Sequence, residues 1–149
     1  MRRLLVAGLA SVALAAPAVP AAGGLLSATG KVIAILGDEL FLGEAEGHFG
    51  GAGTLAIYSQ RQPGLTCSGQ FTSSAELGGK GSLRCADGTG STFHFKRLTI
   101  FRGHGSGTFD KGSMNFTYGL NAEEARRYLK LPRGKKLTDN GKELELVDL

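Results

Sequence analysis

The stretch CSGQFTSSAELGGKGSLRC, Cys67 to Cys85, holds both cysteines of the chain and decides how the rest is read. Placing Cys67 opposite Cys85 in an antiparallel hairpin, with its loop around Ser73–Gly79, sets Gly69 against Leu83 and Phe71 against Gly81. Side chains alternate along a strand, so these six residues share one face. Ser68, Gln70, Lys80, Ser82 and Arg84 take the other. On the apolar face large residues oppose small ones, which leaves room for an aromatic ring to lie across the neighbouring backbone. A slip of one residue would mix the two faces, so the register is well specified.

The pattern recurs on both sides of that hairpin. GAGTL at 51–55, GKGSL at 79–83 and GSGTF at 105–109 are spaced by 28 and 26 residues. Seventeen of the 24 glycines fall between Gly43 and Gly119, in a region rich in Thr, Ser and Phe. That composition favours short strands and tight turns over helices, and the repeat implies sequential hairpins sharing one core. In the third copy, a turn at Lys111-Gly112 would pair Phe109 with Met114, Gly107 with Phe116 and Gly105 with Tyr118.

Other segments fall around this nucleus. KVIAILGDELFLGEAEG (31–47) reads as a hairpin turning at Gly37-Asp38. STFHFKRLTIF (91–101) is strand-like, but its apolar alternation changes phase between Phe95 and Leu98, and a bulge near Lys96-Arg97 would explain the shift. NAEEARRYLKLP (121–132) begins with Asn121 as N-cap and Glu124 three residues on, and predicts a helix over about 122–130 ended by Pro132. KKLTDNGKELELV (135–147) reads as a last hairpin with Asn140-Gly141 as its turn, Leu137 facing Leu144. The expected fold is all-β: a meander of about eight glycine-marked antiparallel strands forming a small barrel or curled sheet. A short C-terminal helix and a terminal hairpin are appended to it over residues 120–149.

The N-terminus, MRRLLVAGLASVALAAPAVPAAGG, has two arginines, an apolar run from Leu4 to Ala16 and a small-residue region containing prolines. This is the form of a secretory signal peptide, expected to span residues 1–21 with cleavage after Ala21, Ala18 being the alternative. Residues 22–149 are then expected to form one β-rich domain, exported to the periplasm or secreted, with no transmembrane segment. Without Arg2 and Arg3 the balance of 17 basic against 13 acidic residues falls to 15 against 13, which gives no reason to expect a nucleic-acid partner. Two cysteines in an oxidising compartment make one disulfide, Cys67 with Cys85, the economical reading. There is no Cys-x-x-Cys motif, and the three histidines show no zinc-ligand spacing with the pair.

The repeated Gly-x-Gly-[Ser/Thr]-[Leu/Phe] over about 47–119 is similar to MORN repeats, which are stacked glycine-marked hairpins. The residues Cys67, Gly69, Phe71, Gly79, Gly81, Leu83, Cys85, Asp87 and Gly88 form a Cys-x-Gly-x-Phe…Gly-x-Gly-x-Leu-x-Cys-x-Asp-Gly pattern. In this the chain resembles small exported bacterial proteins of unknown function. The resemblance implies an exported β-protein and brings no activity with it.

Chemistry-bearing motifs are scarce. There is no Gly-x-Ser-x-Gly, His-Glu-x-x-His or Walker loop. GHGSG at 103–107 puts His104 and Ser106 on one strand face, against which stands the plainer reading of a repeat glycine strand with polar residues facing solvent. EAEGH at 44–48 puts Glu44, Glu46 and His48 on one face, where they could ligate a metal or serve as an acid–base pair; the alternative is a solvated strand face. Arg126, Arg127, Lys130, Arg133, Lys135 and Lys136 form a basic run suited to a helix C-terminus or to an anionic surface. The polar strand faces and the absence of Trp argue against a lipid-embedded barrel. The expected function is that of a non-enzymatic envelope or interaction protein, with an unidentified envelope protein or glycan as partner and no cofactor. The alternatives are a small-ligand or glycan-binding barrel and, further off, a metal-assisted hydrolase.

Overall fold

Apolar or glycine residues alternate with polar ones through most of eight successive strands, which close into a cylinder. A computed structural model of the chain describes residues 27–74 and 78–149; the signal peptide expected at 1–21 lies outside the described residues. The strands are β1 (Ser27–Leu36), β2 (Glu39–His48), β3 (Ala52–Ser59), β4 (Thr66–Ser74), β5 (Gly78–Cys85), β6 (Gly90–Thr99), β7 (Arg102–Phe109) and β8 (Gly112–Tyr118). Each pairs antiparallel with its sequence neighbours, and β8 closes on β1, with Tyr118 opposite Val32 and Met114 opposite Leu36. Of the two forms anticipated, the protein adopts the closed barrel, which leaves this sheet without an edge strand.

Alternation decides what lies inside. Val32, Leu36, Phe41, Ile57, Phe93 and Met114 are among the buried residues that fill the barrel. Outward positions such as Thr54, Gln70, Lys80, Arg84, His94 and Ser106 are exposed. This is the reverse of the pattern a lipid-facing barrel requires. No helix among the described residues is long and apolar enough to cross a membrane.

The hairpin of β4 and β5 has the expected register, with Cys67 opposite Cys85, Gly69 opposite Leu83 and Phe71 opposite Gly81. A disulfide joins Cys67 and Cys85, whose Cα atoms are 3.9 Å apart. It lies at the packed end of the barrel, with Leu36, Phe41 and Met114 in the same cluster. The first hairpin also turns at Gly37-Asp38 as expected, Leu36 pairing with Glu39.

The hairpin of β7 and β8 is offset by two residues from the expected register. Its turn is Asp110-Lys111, and Gly107, Gly105 and Gly103 face Met114, Phe116 and Tyr118. Asp110 ties the turn to β6, because Gly90 N donates to Asp110 Oδ2 at 2.8 Å and Asp110 N donates to Gly90 O at 3.1 Å. An offset of two keeps every side chain on its face, so glycine still meets an aromatic residue.

β1 and the start of β2 differ from the other strands because their outward residues Ile33, Ile35, Leu40 and Leu42 are apolar too. Ile33, Ile35 and Leu40 form a second buried cluster with Leu120, Ala125, Leu129 and Leu137 of the C-terminal segment. That segment contains α1 (Ala122–Ala125) and the hairpin of β9 (Lys135–Asp139) and β10 (Leu144–Asp148). Asn121 caps α1 in a capping box with Glu124, as the sequence suggests. The helix nevertheless stops well short of residue 130. Asn115 of β8 accepts a hydrogen bond from Lys130 N at 2.9 Å and donates to Lys130 O at 3.2 Å, which draws the chain out along the barrel wall. The last hairpin is also offset: Leu137 pairs with Leu146, not Leu144. Asn140 Oδ1 accepts from both Lys142 N and Glu143 N at 2.9 Å, so a four-residue loop (140–143) replaces the two-residue turn.

Candidate functional site

The space inside the barrel is set by how its aromatic rings meet its glycines. A Cβ added to Gly53 would stand 2.1 Å from Phe71 Cζ, one on Gly81 2.6 Å from Phe93 Cζ, and one on Gly79 2.8 Å from Phe95 Cζ. Gly105 and Gly103 stand in the same relation to Phe116 Cζ at 2.6 Å and to the Tyr118 hydroxyl at 2.4 Å. Each of these rings therefore lies over the glycine directly across the ladder from it. The rings also meet edge to face, Phe71 with Phe95 at 5.6 Å, Phe93 with Phe116 at 5.1 Å and Phe95 with Tyr118 at 5.8 Å between centroids.

With the rings against the wall, the upper barrel is left open. A cavity of about 600 Å³ enters between the β2–β3 and β6–β7 connections and reaches down to Val32, Leu55, Phe93 and Phe116. Phe49, Ile100 and Phe101 line its rim and are 83%, 62% and 54% exposed. Below it the disulfide, Leu36 and Met114 belong to the packed end.

Few polar groups look into this space. The principal ones are Arg97, Tyr118 and Ser73. Arg97 Nη2 donates to Ser73 Oγ at 2.6 Å. Arg97 and Tyr118 stand on either side of Gly103 in the ladder, so no side chain intervenes between them. Burial pushes the Tyr118 phenol above its ordinary pKa, opposed in part by the positive charge of Arg97. The cavity lining contains no Asp or Glu among the described residues.

Arg97 is a residue that the sequence reading did not single out. The bulge expected near Lys96-Arg97 is present, its register shift falling between Arg97 and Thr99. Arg97 therefore keeps the inward phase of Phe93 and Phe95, and Leu98 is 45% exposed. The signal was available: Phe93, Phe95 and Arg97 alternate strictly.

The residues singled out from the sequence lie elsewhere. Glu44, Glu46 and His48 do share the outer face of β2, opposite Lys31, Thr29 and Ser27. Glu44 and Glu46 border an open outer depression of about 980 Å³ with Thr54, Gln70, Ser82 and Thr92, whereas His48 reaches the rim of the inner cavity. No group of three or more His, Cys, Asp or Glu among the described residues is placed to hold a metal ion. The outer depression is larger than the cavity, but its lining is an even mix of polar and apolar groups and it is more open to solvent. The basic run is divided: Arg126 donates to Leu137 O at 2.9 Å and Lys135 pairs with Asp148 at 2.6 Å. Arg127, Lys130, Arg133 and Lys136 are exposed.

His104 has a structural partner. Its ring stacks on Tyr128 at 4.3 Å and 20°, which seats the C-terminal segment against β7. Burial there, with Lys96 next to it in the ladder, holds its pKa below the ordinary imidazole value. Ser106, two residues on, is exposed. No family model, curated protein or solved structure matches the chain.

Proposed function

We propose that this chain is an exported, non-enzymatic binding protein that holds a small, largely apolar molecule in the mouth of its barrel. The observation that carries the reading is the cavity of about 600 Å³ walled by Phe71, Phe93, Phe95 and Phe116 with only a few inward polar groups. Apolar concavities of that size with few polar groups are the common form of small-molecule sites. Export is supported by the N-terminal leader pattern together with the disulfide. Contact with an envelope partner through the basic run, one form of the function expected first from the sequence, has less support, since Arg126 and Lys135 are engaged within the C-terminal segment itself.

Thermal melts with and without amphiphiles of eight to fourteen carbons test the reading. A bound ligand stabilises the folded state by RT ln(1 + L/Kd), L being its free concentration, so the melting temperature rises with ligand concentration. A dye that brightens in apolar surroundings should be displaced over the range near Kd. If no neutral or charged amphiphile moves the transition or displaces the dye, the cavity is not a binding site. An interaction protein docking an envelope partner is the second reading, favoured by the exposed rim of Phe49, Ile100 and Phe101. Capture of one partner by the ligand-free protein, lost in a Phe49→Ser/Phe101→Ser variant, would favour it.

A further inference from the structure

We infer that the cavity selects monoanionic amphiphiles, a carboxylate being held at the mouth by Arg97, Tyr118 and Ser73 while the hydrocarbon body lies among Phe71, Phe93, Phe95 and Phe116. This rests on the ligand-binding reading above.

The argument begins with the cost of the guanidinium. Arg97 is half-buried in an otherwise largely apolar enclosure, and a charge partly withdrawn from water needs partners. The guanidinium has five N–H donors. Among the described residues its one side-chain acceptor is Ser73 Oγ, and none of the ion pairs found there includes it. An inward arginine on a strand whose other inward residues are Ser91, Phe93 and Phe95 is an expensive choice for a wall. It fits a site whose occupant supplies an anion.

Charge count and placement narrow the class. Among the described cavity-lining residues Arg97 is the one Arg or Lys, so a dianion would bring a negative charge with no matching Arg or Lys there. A cationic head would meet Arg97 with no described carboxylate in the lining to offset it. A carboxylate matches the planar fork of one guanidinium and accepts a further bond from a phenol. Tyr118 is protonated at neutral pH as any phenol of ordinary pKa is, and burial shifts it further in that direction, so it remains a donor. Placement also sets direction. Arg97, Ser73 and Tyr118 lie in the mouth half of the barrel and the apolar residues continue below them, so the tail enters first and the head stays at the opening.

Titration of the purified chain with decanoate and with 1-decanol at pH 7.5 tests this. The expected result is decanoate binding at least about tenfold more tightly than the alcohol, as a charge-assisted pair in a dry site should. Arg97→Met should abolish the preference while leaving decanol binding in place. A second measurement needs no variant: the preference of the unaltered protein should fade below about pH 5, where the acid itself becomes neutral. Equal binding of acid and alcohol, or a preference that persists in Arg97→Met, overturns the carboxylate inference and leaves the ligand-binding reading standing. If neither molecule binds while the melt shows a folded protein, both fall.

Discussion

Phe71 lies over Gly53 so closely that a Cβ on the glycine would stand 2.1 Å from the ring's Cζ and 2.5 Å from the carbonyl oxygen of Glu46. The ring cannot stay in place if that hydrogen becomes a methyl group. Gly53→Ala should therefore lower stability by about 1–3 kcal/mol, the range for overpacking a filled site. It should also push Phe71 into the cavity and weaken binding of any ligand. Denaturant unfolding and dye titration of the same variant check both effects. An unaltered midpoint with full dye binding would show that the glycine is not needed for the ring.

The disulfide and the cavity lie at opposite ends of the barrel. Replacing Cys67 and Cys85 together by serine removes a link between residues 18 apart in sequence. The chain-entropy model gives about 3 kcal/mol for a loop of this size. Unfolding midpoints should fall accordingly, while affinity for an amphiphile measured well below the melting temperature should hardly change. Loss of affinity in a folded double variant would mean that the packed end controls the mouth.

Thr117 is fully buried on the outer face of β8, and its hydroxyl has no hydrogen-bond partner among the described residues. An unsatisfied buried hydroxyl is unfavourable, so Thr117→Val should be neutral or stabilising by about 1 kcal/mol. Asn115→Ala, two residues away, should act in the opposite direction, because it removes both hydrogen bonds to Lys130. Hydrogen exchange should then quicken over residues 120–149 before the barrel strands respond. Equal destabilisation by the two changes would contradict this account.

His104 supplies a pH dependence. Its folded-state pKa is depressed by burial and by Lys96. The unfolded chain therefore takes up the proton first as pH falls, and stability drops on acidification below about pH 6.5 until the folded form is protonated too. Above that value the group contributes no slope. Melting temperatures from pH 5 to 8 should show the decline in the unaltered protein and a shallower one in His104→Gln. Parallel curves would sink the assignment.

How far the sequence could be read depended on how many independent markers pinned each segment. The β4–β5 register was legible because two cysteines and two glycine–large-residue pairings, Gly69 with Leu83 and Gly81 with Phe71, demand the same alignment. In β7–β8, turns at Asp110-Lys111 and Lys111-Gly112 preserve the same faces. The choice rests on Asp110 bonding to Gly90, a contact between strands that local pattern does not encode. The early end of α1 has the same origin, since Asn115 claims the backbone of Lys130 from another strand. The ring-over-glycine wall could be anticipated in kind, but Phe71 covers Gly53, not its hairpin partner Gly81. Arg97 was missed because a charge at an inward position looks like a break in phase, when it is the point where chemistry replaces packing.

The C-terminal segment lies over the junction where β8 meets β1, holding Ile33 and Ile35 beneath Leu129 and Leu137. Every other junction of the barrel joins strands adjacent in sequence, whereas this one waits for a residue as late as Met114 to meet Leu36. Closing so long a loop costs more entropy than forming a hairpin, and it comes late in assembly. Until then the edge of the first strand is a template for another molecule's strand. The segment that follows β8 is thus the next to emerge from synthesis after the ring can shut. It acts as a clasp that converts a reversible closure into a lasting one, and shortening it should favour exchange of strands between chains.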